Sequence, residues 1–145
     1  PEVREYYQAK LSPVGQAELL VKYKRAVERE FFPARGIGQG RVGAARRVVE
    51  QFTRLSASTA DTAEIMIWYV ELGVRYTLAY GDIDEPFYAS MENMYDAAIK
   101  FAVEHRLVER FSLRFKKIVD DTKDMGWGFH DSLNDIYREH FGESK

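Results

Sequence analysis

The 145 residues carry 21 Lys/Arg and 23 Asp/Glu, for a net charge of −2, and 46% of them are hydrophobic. That balance belongs to a folded globular chain long enough for one domain with its own core, and it excludes a disordered or collagen-like one. There is no cysteine, which excludes disulfides, thiolate nucleophiles and thiolate metal sites together. The most apolar stretch, "IMIWYVELGV", is broken by Glu71, so no membrane span is expected. No secretory signal opens the chain, and a cytoplasmic setting is the expectation. The small net charge hides a division. Residues 1–55 hold eleven basic and six acidic side chains, a balance of +5, and the rest hold ten and seventeen, a balance of −7.

Helical periodicity dominates from the first residues onward. A short helix is predicted over 2–10, with Val3, Tyr6 and Tyr7 on one side. The string "LSPVG" reads as a break. A second helix is predicted over 16–31, with Leu19, Leu20, Tyr23, Val27 and Phe31 at helical spacing. Pro33 and "ARGIGQG" end it. A third fits 41–55, burying Val42, Ala45, Val49 and Phe52, and "SASTAD" then supplies capping side chains. A long helix follows over 60–80, its apolar stripe made by Ile65, Trp68, Tyr69, Leu72, Tyr76 and Tyr80.

The string "YGDIDEPF" stops that helix and starts the next, with Asp84 as N-cap and Pro86 in the first turn. This helix runs to about His105 through Phe87, Met91, Met94, Tyr95, Ala98 and Phe101. Another covers 107–123, carrying Val108, Phe111, Phe115, Ile118 and Val119. The last runs from Phe129 to His140, with Leu133, Ile136 and Tyr137 inward. No segment alternates with period two and no hairpin dipeptide occurs. The expected fold is all-α: one compact multihelical domain over 1–145, of six or seven helices, arranged as a bundle or a short array of helical hairpins.

Three strings carry a resemblance: "EFFPARG", "WYVELGVRYTLAYGDIDEPFYASMENM" and "IVDDTKDMGWGFHDSLNDIY". They resemble a family of uncharacterised, predominantly bacterial proteins known as a domain of unknown function. The likeness covers nearly the whole chain and is most specific at "YGDIDEPFY" and "GWGFHD". It implies a small all-helical protein with one more helix ahead of Pro1. It implies no activity, cofactor or catalytic residue.

Chemistry has few footholds in the residues themselves. His130 and Asp131, with His105, resemble parts of a helical metal-dependent phosphohydrolase site, since imidazole and carboxylate both suit divalent metals. A distant closing aspartate is missing: only Asp135 follows, one turn on in the same helix. The string "DDTKDMGWGFHD" has carboxylates where a calcium loop wants them at Asp120, Asp124 and Asp131. Its turn glycine, Gly126, comes one position late, behind Met125. Neither Glu-x-x-His, HExxH, phosphate-loop nor nucleophile-elbow patterns occur. The acidic turns 81–85 and 120–124 are candidates only for weak cation binding. Arg41, Arg46 and Arg47 form a basic segment, but Glu28, Glu30 and Glu50 interrupt the charge around it.

Aromatic content is the stronger clue, with nine tyrosines. Tyr69, Tyr76 and Tyr80 share one helix face, and a groove lined by them, with Glu71, Arg75 and Glu92 as its polar edge, would suit a peptide or a helix. The leading expectation is a non-catalytic helical binding or adaptor protein, with Tyr69, Tyr76, Tyr80, Glu92, His130 and Asp131 as candidate binding residues. A metal-dependent hydrolase using His130, Asp131 and nearby carboxylates is the alternative. A nucleic-acid-binding protein acting through the basic N-terminal half is the third reading. No cofactor or tight metal is expected. The expected partner is a protein or peptide, the charge division also suiting a second copy of the chain, and neither nucleic acid nor a membrane is expected. The "GWGFHD" bend is read as chiefly structural, with Trp127 and Phe129 plugging the seam between the last two helices.

Overall fold

The computed structural model describes residues 12–33, 41–81, 83–126 and 128–142. The helix predicted over 2–10 and the side chain of Trp127 lie outside them. Six helices and no strand occur among the described residues: α1 (Pro13–Phe31), α2 (Val42–Leu55), α3 (Thr59–Tyr80), α4 (Glu85–Glu104), α5 (Val108–Asp121) and α6 (Phe129–Phe141). The sequence-predicted elements match these closely except at one start. Helix α1 begins at Pro13, inside the string read as a break, because Ser12 caps it: its hydroxyl accepts from the Gly15 N–H at 3.0 Å. Proline at the first helical position loses no intrahelical bond, so there it starts a helix. Ser58 and Asp84 cap α3 and α4 in the same way, through the N–H groups of Asp61 and Phe87.

Helix α3 is the central element and packs against α1, α2, α4 and α5, while α6 closes the bundle against α4 and α5. Its buried residues, among them Ile65, Ile67, Tyr69, Val70, Leu72, Val74 and Tyr76, are not confined to one stripe. A helix apolar nearly all round needs neighbours on several sides. Helix α4 comes close to it at Gly73, where a Cβ would overlap the Met91 sulfur. Around Phe31 a cluster of rings joins three helices, with Tyr69 at 5.8 Å, Tyr76 at 6.1 Å and Phe87 at 6.3 Å between centroids. Tyr95 lies fully inside. Its hydroxyl donates to the Phe115 carbonyl at 2.9 Å, tying α4 to α5, and burial pushes its phenol well above the ordinary range.

One strip of α3 is polar. Glu64, Trp68, Glu71 and Arg75 recur at helical spacing along it and meet side chains of α1 and α5. Arg114 of α5 donates through Nη1 to Glu64 at 2.6 Å, and through Nη2 and Nε to Glu71 at 2.6 and 3.0 Å. Lys24 of α1 reaches the other Glu64 oxygen at 3.1 Å and lies over the Trp68 ring. The Trp68 indole donates to the Lys24 carbonyl at 2.9 Å. Three helices are thus fixed in register by one half-buried network. Burial pushes the Glu64 carboxyl up, but the bonds and charges of Arg114 and Lys24 outweigh it and hold that carboxyl below its ordinary value.

Two predictions arise from this frame. Replacing Arg114 by methionine strands two half-buried carboxylates. It should cost about 1–3 kcal/mol, less than for a fully buried pair because solvent reaches the group. Since the folded Glu64 pKa is lowered, its stabilisation is complete above its ordinary value of 4.5 and is lost as pH falls through the folded value. Thermal melts of the two proteins should therefore converge under acid conditions, and a gap independent of pH would refute this account. The second concerns Arg106, which ends α4 with φ 59 while the Leu107 N–H bonds the Ala102 carbonyl at 2.7 Å. A left-handed position of this kind favours glycine. Arg106→Gly should raise the melting temperature by about 2–4 °C, worth about 1 kcal/mol.

Candidate functional site

The two most specific strings of the sequence meet in space. Tyr88, from "YGDIDEPFY", packs its ring on Phe129, from "GWGFHD", at 4.6 Å between centroids. The Tyr88 hydroxyl accepts from the Ile83 N–H at 3.1 Å and so closes the turn ahead of α4. Gly128 stands at φ 70, a conformation glycine adopts without strain, and this lets α6 start directly beneath Tyr88. Phe129 is fully buried at the seam.

Beside this contact is a cavity of about 380 Å³ lined by Glu85, Tyr88, Ala89 and Glu92 of α4 and by Ser132 of α6. The four α4 residues lie at i, i+3, i+4 and i+7 and so face one way. Ser132 hydrogen-bonds Glu92. Burial pushes the Glu92 carboxyl above its ordinary value and the charge of Glu85 adds to this, while the Ser132 bond opposes it. The described lining contains two carboxylates, an aromatic ring and a hydroxyl, and no basic side chain. Such a lining favours a positively charged group.

His130 has a different task. Its Nδ1 lies 3.1 Å from the Val119 carbonyl and 3.0 Å from the Thr122 hydroxyl. A carbonyl only accepts, so Nδ1 carries the proton and donates. Thr122 is fully buried and donates its own hydroxyl to the same carbonyl at 2.7 Å. In the last turn of α5 the pair adds side-chain donors to a carbonyl that also accepts from the Thr122 backbone N–H at 3.1 Å. Asp131 is exposed in the first turn of α6, where its charge suits the helix dipole.

Residues 1–141 match the family of unknown function DUF6155. The chain belongs to the DUF6155 family. No curated protein and no solved structure matches it. In this DUF6155 chain the cavity, rather than an inherited activity, must carry a functional argument.

The other sequence-predicted residues are dispersed around it. Tyr69 is fully buried, with its hydroxyl 2.6 Å from Ser90 Oγ, so it offers nothing to a surface groove. Tyr76 is 8% and Tyr80 47% exposed, and their rings touch at 4.8 Å, with Phe32 alongside. Among the described residues no three His, Asp or Glu side chains are gathered to hold a metal ion. Asp120 and Asp121 pair with Lys116 and Lys117 one turn earlier, and Asp84 is used as a cap. In the basic segment, Arg41 pairs with Glu30 at 3.1 Å. The sequence alone does not point to Ser132 or Glu85 as partners of Glu92. The i, i+7 spacing of two glutamates around a tyrosine was the available signal, but nothing local to α4 shows that α6 covers that face.

If His130 is a capping group, His130→Ala should destabilise the fold by about 1 kcal/mol through the loss of its own bond to the Val119 carbonyl, which Thr122 still satisfies. His130→Asn, which can still donate, should recover part of that loss in thermal melts. Equal losses in both variants would show that ring packing, not the hydrogen bond, is what matters.

Proposed function

We propose that this protein is a non-catalytic helical binding protein that captures a basic side chain of a peptide or protein partner in the cavity between α4 and α6. The supporting observation is the pairing of Glu92 and Glu85 around Tyr88 in a recess with no basic residue among its described lining. A guanidinium or ammonium group there would neutralise both carboxylates. A volume of about 380 Å³ is in the range of small-ligand recesses, roughly 300–1,000 Å³, and holds one long side chain more naturally than a folded surface.

The test is calorimetric titration with a short peptide carrying one arginine, set against the same peptide carrying neutral citrulline. The arginine peptide should bind and the citrulline peptide should not. Glu92→Gln should weaken binding about tenfold or more, as expected for a lost charge-assisted bond. Binding should also weaken as pH falls through the raised Glu92 value, because the carboxylate must be ionised. Equal affinity for both peptides would refute the reading.

Glu92→Gln also tests the site without a ligand. A carboxyl raised in the folded state binds its proton more tightly there than in the unfolded chain, so stability falls as pH rises through the folded value. The variant should therefore melt higher than the parent at neutral pH, and the difference should vanish below about 4.5, the ordinary value.

A further inference from the structure

A second recess, about 250 Å³ in volume, lies between α3 and α5 and shares no lining residue with the first. Its apolar part is made by Trp68 and Val74 of α3 and Ile118 of α5. Four charged side chains also line it, and three of them are already engaged. Both oxygens of Glu71 receive Arg114, at 2.6 and 3.0 Å. Lys117 and Asp121 bond each other at 2.7 Å. Arg75 is the exception. It is exposed and forms no ion pair among the described residues. Its guanidinium lies over two rings instead, 5.6 Å from Phe32 and 5.9 Å from Trp68.

A guanidinium held beside two rings keeps its forked N–H donors for a carboxylate, and no described acidic side chain pairs with these. The two rings also restrict the side chain, so less freedom is lost when those donors are engaged. With Glu71 balanced by Arg114, and Lys117 by Asp121, the lining retains one positive charge beside an apolar floor. The first recess has the opposite sign, so the two would select different chemistry.

We propose that the α3–α5 recess binds a carboxylate carried on an apolar or aromatic body, with Arg75 as its ionic partner and Trp68 as its wall. The carboxylate forms a forked pair with the outward edge of Arg75. The body lies over Trp68, Val74 and Ile118 and shields that pair from solvent. Both a free small acid and the C-terminal carboxylate of a peptide ending in an apolar residue present this chemistry.

Two tryptophans in the chain give two indole N–H signals in a proton–nitrogen correlation spectrum, and Trp68→Phe identifies the relevant one. Phenylacetate should shift the Trp68 signal saturably, and phenylacetamide, its neutral counterpart, should not. Arg75→Gln should weaken the phenylacetate titration at least about tenfold with an unchanged melt. Arg110→Gln, an exposed arginine elsewhere on α5, should leave it intact. A parallel arm uses N-acetyl-alanyl-phenylalanine and its C-terminal amide. Saturation by this acid but not its amide assigns peptide C-termini as a source, and saturation by phenylacetate alone assigns small free acids. The proposal is overturned if neither acid moves the Trp68 signal, if amides move it equally, or if the titrations are unchanged in Arg75→Gln.

Discussion

The burial of α3 is the constraint on which the bundle depends. A twenty-two-residue helix with apolar residues on nearly every side is stable in water only when other elements enclose it. α1, α2, α4 and α5 do so. The strip of Glu64, Trp68, Glu71 and Arg75 is not completely enclosed, because its charged groups would be costly to bury alone. Arg114 and Lys24 meet two of those charges and let α5 and α1 approach. Hydrophobic enclosure thus sets which helices touch α3, and the ionic strip sets their register.

Much of this was legible in the sequence because it is local. Asp84 and Ser58 could be read as caps from side-chain chemistry next to a periodic run, and both hold. Pro13 reads as part of a break yet starts α1, because proline carries opposite meanings at the start and in the middle of a helix. The stripe assigned to α3 found Ile65, Tyr69, Leu72 and Tyr76 but left out Ile67, Val70 and Val74, which a one-face reading cannot accommodate. Tyr80 belongs to the same stripe, yet as the last residue of α3 it is 47% exposed. Arg114 gave no sign of its role, since its partners lie 43 and 50 residues away.

The same distinction between local and distant information applies to the sites. "GWGFHD" looked unusual and its bend does organise the end of the chain, through Gly128 and Phe129. Its histidine has a backbone partner in the last turn of α5, which spacing alone could not show. Glu92 was picked out as a polar edge for tyrosines on another helix, whereas the structure sets it against Ser132, forty residues on. Two recesses of unlike character result, an acidic one between α4 and α6 and one lined by the exposed Arg75 between α3 and α5.

Helix α6 differs from the others in how it is held. Of its thirteen residues Phe129 and Leu133 are fully buried, and among the described residues it packs chiefly on α4 and α5. Elements so lightly anchored open on their own, at a free energy below that of global unfolding. Departure of α6 would remove Ser132 from Glu92, Phe129 from Tyr88 and His130 from the end of α5 in one cooperative event. The acidic recess then exists only in the docked state, and any group bound across it would act as a latch. Occupancy and closure of this last helix are two sides of a single equilibrium.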